Sequence, residues 1–100
     1  MKYEKLVRDK IPEIIKAKGG ESKTHIAEEA EYKDKLNAKL REEVEEFLKE
    51  HDPEELADVL EVLRAIADSN KLDWAEIEDI RKKKQDERGG FAERIILDES

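Results

Sequence analysis

Two apolar stripes at helical spacing, joined by a very short connection, constrain the fold of this chain more than any other feature. The first stripe runs over residues 36–48 and the second over residues 56–67. Apolar residues that recur every three or four positions share one face of a helix. The connection between them, His51-Asp52-Pro53, is long enough only for a tight turn between antiparallel neighbours. The pattern therefore predicts a helical hairpin whose two apolar faces meet.

The rest of the chain predicts an all-α helical bundle of about four helices, in one domain over residues 1–100. Pro12 sets the start of the first helix, and Gly19-Gly20 ends it. Asp73 begins a capping box for the last helix, and Gly89-Gly90 stops that helix. The predicted helices span residues 8–18, 29–50, 53–70 and 73–88.

Two short segments outside these helices have the composition of strands. Residues 23–27 are too short for a helix, and residues 93–97 end in a run of large aliphatic side chains. They could pair as a two-stranded ribbon beside the helices. Such a ribbon is marginal alone and needs packing against the bundle.

Composition limits the classes of partner. The chain is 48% charged and only 37% hydrophobic, so a monomer buries little, and we expect a homodimer or a higher homo-oligomer. A net charge of −8 argues against binding to nucleic acid or to anionic membranes, although free nucleotides can bind through a bridging metal. The chain has no cysteine, no signal peptide and no membrane-spanning run, so we expect a cytoplasmic protein.

Two acidic pairs interrupt the apolar stripes. Glu43 with Glu46, and Glu55 with Asp58, are each spaced i, i+3, which places both members of a pair on one helix face. At about 100° per residue, Glu43 and Glu55 fall inside the apolar arcs, and their partners lie at the edges. The neighbouring acidic residues are expected to point away; these are Glu42, Glu45, Glu54 and Glu61.

The predicted hairpin brings the four carboxylates to one rim of the core, where they would repel one another. Residues 42–61 contain ten acidic residues against one basic residue, Lys49, so local pairing cannot neutralise them. A hard divalent cation could, and Mg²⁺ or Mn²⁺ prefers such oxygen ligands. Each pair taken alone also fits a solvated helix face, and Glu55 fits a capping box that begins at Asp52.

Four stretches of the chain, taken in order, carry a further signal. They are Lys5-Leu6-Val7-Arg8-Asp9-Lys10-Ile11-Pro12-Glu13-Ile14-Ile15, Glu42-Glu43-Val44-Glu45-Glu46, Glu55-Leu56-Ala57-Asp58 and Arg88-Gly89-Gly90-Phe91. Together they resemble the all-α nucleoside triphosphate pyrophosphatases, the MazG-like group that includes phosphoribosyl-ATP pyrophosphohydrolase. The resemblance covers essentially the whole chain and implies Mg²⁺-dependent hydrolysis between the α and β phosphates. On matching positions it implies metal ligation by Glu43, Glu46, Glu55 and Asp58, with Glu46 our choice to accept the proton of the attacking water.

A polyphosphate substrate also requires cations. Lys84 and Arg88, spaced i, i+4 on the last helix, and Arg8 and Lys10 near the N-terminus are the candidates. Lys84 and Arg88 also fit a simpler role, because cations near a helix C-terminus complement its dipole.

Three functions stay open at this point. A pyrophosphohydrolase that clears non-standard nucleotides is the reading that the N- and C-terminal motifs favour. A free-standing phosphoribosyl-ATP pyrophosphohydrolase of histidine biosynthesis is the second. The third is a helical interaction or nucleotide-sensing module without catalysis.

Overall fold

The computed structural model describes residues 4–100, and all of the regular secondary structure in that range is helical. The prediction of an all-α protein with four helices is confirmed, and the last three helices agree with their predicted bounds to within one residue. The helices are α1 (Ile11–Ala17), α2 (Glu29–Glu50), α3 (Pro53–Ser69) and α4 (Trp74–Arg88).

Helix α1 is shorter than the predicted segment 8–18. Its start is delayed by a turn in which the Ile11 N–H donates to the carbonyl of Arg8 at 3.1 Å. Its end is fixed by Gly19, whose φ of 85° is readily adopted only by glycine. The next residue, Gly20, then donates its N–H to the carbonyl of Ile15 at 2.9 Å and so closes the helix end.

The turn between α2 and α3 makes the hairpin antiparallel. His51 adopts a left-handed backbone conformation and donates its N–H to the carbonyl of Phe47 at 2.7 Å, which ends α2. The Asp52 carboxylate accepts the N–H of Glu55 at 2.9 Å, and Pro53 occupies the first helical position. Only two residues separate the helices, so their facing sides pack along most of their length.

The core lies between α2 and α3 and is small. Its buried hydrophobic residues are Leu36 on α2 and Val62 and Ala67 on α3. Four leucines that were predicted to lie in the apolar stripes are instead largely exposed, because one helix partner covers less than the full arc. Their exposed fractions are 59% for Leu48, 51% for Leu56, 48% for Leu60 and 38% for Leu63.

The predicted ribbon of residues 23–27 and 93–97 is wrong. Within residues 4–100 neither segment forms a strand, and their aliphatic side chains are open to solvent, as shown by Ile26 at 95% and Ile95 at 81% exposure. An isolated pair of strands gains little from its own hydrogen bonds and needs a hydrophobic surface to pack against. Neither segment reaches such a surface in this chain, so β-type composition alone does not produce a strand.

The molecule is elongated. Its radius of gyration is 17.9 Å, whereas a compact 100-residue domain has a value of about 13 Å. Its principal extents are 56 × 31 × 24 Å. In the described range, no helix combines the length and the apolar character needed to cross a membrane.

Candidate metal centre

Three carboxylates from two helices meet on one side of the hairpin. Glu43 of α2 and Glu55 and Asp58 of α3 each place one carboxylate oxygen within 4.8 Å of the others. All three side chains are half-buried, and that of Glu43 is only 13% exposed. The sequence prediction that acidic residues of both helices converge at the rim of the core is therefore met by three of the four carboxylates.

The local structure of the hairpin explains why these three residues meet. Glu43 follows Leu36 by seven residues on α2 and so lies on the side that faces α3. Glu55 is held in the first turn of α3 by the Asp52 cap, and Asp58 lies almost one turn further along. Glu55 therefore belongs both to the cap and to the acidic cluster. Its backbone N–H donates to Asp52, and its carboxylate remains free to join the cluster.

Glu46, the fourth predicted ligand, is exposed and lies outside the group of three. It is nevertheless close enough for its negative charge to raise the pKa of Glu55. The predicted role of Glu46 as proton acceptor stays a prediction.

Two cations already contact the cluster. The Arg8 guanidinium donates to Asp58 Oδ1 at 2.8 Å, and Lys39 Nζ lies 3.3 Å from Glu43 Oε1. Among the described residues, Glu55 is the one carboxylate of the three without an ion pair. The expectation was that pairing within residues 42–61 cannot neutralise the cluster, and the counter-ions of Glu43 and Asp58 indeed come from outside that range.

The charge on Glu55 is poorly compensated. Partial burial raises its pKa first, and the negative charges of Asp52, Asp58, Glu46 and Glu43 raise it further. A nearby cation stabilises the ionised form of a carboxyl group, and this stabilisation matters most where the neighbouring groups disfavour that form. Glu55 is therefore the residue at which a bound metal would relieve the most repulsion.

The pKa of Glu42 shifts in the opposite direction to that of Glu55, and Glu42 lies outside the group of three carboxylates. It is half-buried and lies 3.2 Å from Lys5 Nζ and 3.4 Å from Lys39 Nζ. Burial alone would raise its pKa, but the hydrogen bonds and charges of the two lysines outweigh burial and lower it. Lys5 thus fastens the N-terminal segment to α2 at the residue that directly precedes Glu43.

An open groove of about 690 Å³ runs along this side of the hairpin. The N-terminal segment forms one wall, and α2 and α3 form the other. Cations and carboxylates both face it, with an apolar stretch further along. Its charged and aromatic lining residues are Lys5, Arg8, Asp9, Lys10, Tyr32, Lys39, Glu43, Asp58 and Glu61.

The four predicted phosphate-binding cations divide into two groups. Arg8 and Lys10 line the groove beside the carboxylates. Lys84 and Arg88 are exposed on α4, and within the described part of the chain they neither line the groove nor pair with a carboxylate of the cluster. The helix-dipole explanation accounts for their position, and their contact with phosphate stays a prediction.

Sequence reasoning overlooked Lys39 and the groove position of Glu61. Lys39 lies four residues before Glu43, which is the spacing of an intrahelical ion pair, so the signal was present in the sequence. Glu61 was expected to point away, and although it is exposed, it lines the groove next to the N-terminal segment. That segment supplies the opposite wall, and local periodicity gives no indication of it.

The donor set suits a hard divalent cation. Three carboxylate oxygens are the ligands that Mg²⁺ and Mn²⁺ favour, and the open groove leaves room for water or phosphate in the other positions. Oxygens on opposite sides of a Mg²⁺ ion are about 4.2 Å apart, since each bond is about 2.1 Å long. The three oxygens lie within 4.8 Å of one another, so small rotations of the side chains would let all three contact one ion.

No protein-family model, curated protein or solved structure matches this chain. The resemblance to the MazG-like pyrophosphatases therefore depends on the sequence motifs alone. The geometry of the site has to be judged on its own chemistry.

Proposed function

We propose that this protein is a Mg²⁺-dependent nucleoside triphosphate pyrophosphohydrolase of the MazG-like type, with Mn²⁺ as an alternative metal. It would cleave the α–β anhydride bond with water and release a nucleoside monophosphate and pyrophosphate. The observation that carries the proposal is the meeting of Glu43, Glu55 and Asp58 beside a groove that Glu43, Asp58, Arg8 and Lys10 line. A metal held by the carboxylates and an anionic substrate held by the cations would make use of both charges in this groove.

Each residue of the site has a distinct role in this proposal. Glu43, Glu55 and Asp58 would hold the metal, and Arg8 and Lys10 would contact the polyphosphate. When bound, Mg²⁺ would supply positive charge for the phosphate oxygens and would lower the pKa of the attacking water. Glu46, exposed beside the cluster, would accept the proton of that water.

Pyrophosphate release from a nucleotide panel with Mg²⁺ or Mn²⁺ tests the proposal directly. The panel should contain standard and non-standard triphosphates and phosphoribosyl-ATP, because the last compound identifies the histidine-pathway alternative. We expect release from at least one triphosphate. A correctly folded protein that releases pyrophosphate from none of them would disprove catalysis.

Substitutions then test the site. Glu43→Gln and Asp58→Asn keep the side-chain shape but weaken metal binding, and each should lower turnover by about a hundredfold, equivalent to about 2.7 kcal/mol. Glu45→Gln is the matched control, since Glu45 is an exposed acidic residue on the same helix. Equal turnover in all three variants and the wild type would refute the assignment.

A non-catalytic interaction module is the second candidate, and the small core and exposed leucines favour it. Such a module would bind its partner equally well after Glu43 and Asp58 are neutralised. An enzyme would lose its activity under the same change while keeping its helical circular dichroism.

The proposal includes a cytoplasmic location and self-association. Free nucleotides are abundant in the cytoplasm, and the absence of a membrane-spanning helix in residues 4–100 is compatible with that location. Self-association is supported by the elongated shape, since one chain alone does not reach the compactness of a single domain.

A further inference from the structure

Lys39 is the least exposed of the cations that form ion pairs in the described part of the chain. Its side chain is 20% exposed, whereas those of Lys5 and Arg8 are 46% and 57% exposed. Lys39 lies in the middle of α2 and lines the same groove as Glu43 and Asp58. A partly shielded cation therefore lies on the side of the hairpin where a substrate would bind.

Two neighbouring carboxylates share the charge of Lys39. Its Nζ lies 3.3 Å from Glu43 Oε1 and 3.4 Å from Glu42 Oε2. The other oxygen of Glu42 lies 3.2 Å from Lys5 Nζ. Glu42 thus has two cations for one negative charge, and within the described residues Lys39 is the one cation paired with Glu43.

Lys39 would lose its present partner if a divalent metal bound the carboxylates. Glu43 would then be neutralised by the metal, and the ammonium group would lie beside a second cation. Like charges in a partly buried site repel more strongly than they do in bulk water. An anion between the two cations relieves this repulsion, and a phosphate group can bind a metal through one oxygen and a lysine through another.

We propose that Lys39 is a substrate-contacting residue, whose ammonium group moves from Glu43 to a phosphate oxygen of the nucleotide when a metal is bound. This inference rests on the proposed metal site and substrate. Lysine suits such a change of partner because it has three N–H donors on a flexible stem. Arg8 and Lys10 would contact the polyphosphate from the N-terminal wall of the groove, and Lys39 would contact it from α2.

A purely structural role for Lys39 gives different expectations. Ion pairs at i, i+3 and i, i+4 stabilise a helix slightly, so their loss would lower stability and leave nucleotide affinity unchanged. Loss of a substrate contact would weaken nucleotide binding. Metal affinity would stay equal or rise, because a variant without the charge lacks the cation beside the metal. Binding measurements therefore separate the two roles.

Titration calorimetry of the full chain tests the proposal. The probes are Mn²⁺ alone and, at saturating Mn²⁺, the α,β-methylene analogue of the triphosphate that is cleaved fastest, because its α–β bond cannot be hydrolysed. Lys39→Met should bind the analogue about tenfold to a hundredfold more weakly than the wild type, as expected for the loss of a hydrogen bond between charged groups. Lys39→Arg should recover part of this loss. Arg41→Met is the matched control, since Arg41 is an exposed cation of α2 outside the groove.

The outcomes that contradict the proposal are distinguishable from one another. If the wild type cleaves no triphosphate, the proposed function and the role of Lys39 are both wrong. If the wild type is active but Lys39→Met binds the analogue equally tightly, only the role of Lys39 is wrong. If Lys39→Met binds Mn²⁺ more weakly than the wild type does, Lys39 holds Glu43 in place for the metal and is not a substrate contact.

Chemical labelling of the wild type keeps the test decisive if Lys39→Met fails to fold. Acetic anhydride modifies accessible lysines, and mass spectrometry of peptides gives the extent of modification at each position. Acetylation of Lys39 in the Mn²⁺-loaded protein should decrease when the analogue is added. Lys49, an exposed lysine of α2 outside the groove, is the internal reference and should be modified equally in both samples. Equal acetylation of Lys39 with and without the analogue would contradict the proposal.

Discussion

Glu55 carries the least compensated charge of the three carboxylates in the candidate metal centre. Its pKa is raised by burial and by four acidic neighbours, and among the described residues it has no ion pair. A raised pKa means that the folded state prefers the protonated form. Glu55 therefore stabilises the fold fully only at pH values below the pKa that it has in the unfolded chain. This contribution is lost as the pH rises through the higher pKa that it has in the folded protein.

From this sign we expect Glu55→Gln to stabilise the metal-free protein at pH 7. The amide removes the repulsion, and the gain should disappear at acid pH, where the wild-type carboxyl is neutral as well. Urea unfolding of the two proteins at pH 7 and pH 4 measures the difference. Glu54→Gln, an exposed neighbour with the same change of charge, should show a smaller effect. If Glu55→Gln were less stable than the wild type at neutral pH, the ionised Glu55 carboxylate would not be destabilising, and the expected direction of its pKa shift would be wrong.

Arg8 would compete with a bound metal for Asp58. Its guanidinium lies 2.8 Å from the carboxylate, where it supplies positive charge that a metal would otherwise supply. We expect Arg8→Gln to bind Mn²⁺ more tightly, by up to about fivefold, because an exposed ion pair is worth up to about 1 kcal/mol. Titration calorimetry without nucleotide measures this change.

The same variant should turn over nucleotide more slowly, because Arg8 is proposed to contact phosphate. Opposite changes in metal affinity and turnover would distinguish this role from simple structural damage, which lowers both. Arg94→Gln, the same change of charge in the C-terminal segment, should leave metal affinity unaltered. Weaker Mn²⁺ binding by Arg8→Gln would show that Arg8 supports the site and does not compete at it.

At the scale of the element, the start of α3 matters most, because it positions two of the three carboxylates. Asp52 accepts the N–H of Glu55, and Asp73 accepts the N–H of Ala75 at the start of α4. Replacing either cap by alanine should cost about 1 kcal/mol of stability. We expect Asp52→Ala also to change Mn²⁺ affinity, whereas Asp73→Ala should not, because α4 supplies no ligand.

Thermal unfolding and Mn²⁺ titration of both cap variants provide the comparison. Each variant acts as a control for the other, since both lose a similar hydrogen bond and one negative charge. Equal Mn²⁺ affinities in the two proteins would mean that the α3 cap does not position Glu55.

At the scale of the whole molecule, a metal that binds only the folded state should stabilise it. The gain is about 2.7 kcal/mol at a hundredfold excess over the dissociation constant. It should shrink as the pH falls, because protons compete with the metal first at Glu55, whose pKa is raised. Melting temperatures with Mg²⁺, Mn²⁺ and NaCl of equal ionic strength measure the effect.

Sodium chloride is the necessary control for a chain of net charge −8, since screening alone reduces self-repulsion. Asp58→Asn should lose the response to divalent ions and keep the response to NaCl. A melting temperature that responds equally to all three salts would show that no specific metal site exists.

The sequence by itself determined the helices, the hairpin and the rim on which the acidic pairs lie. These features follow from local rules: helical periodicity placed Glu43 and Glu55 on the inner faces, Asp52 and Pro53 fixed the start of α3, and glycines ended α1 and α4. Interactions within one or two helical turns encode such features, so a pattern of residues suffices to predict them.

Only the tertiary structure decided which charges meet and which apolar surfaces stay open. The Lys5–Glu42 and Arg8–Asp58 pairs join residues that are 37 and 50 positions apart, and no local pattern specifies such contacts. The exposed leucines and the missing ribbon have the same cause. Helical periodicity predicts which apolar residues need to be covered. How much of that apolar surface is covered depends on how distant segments of the chain pack together.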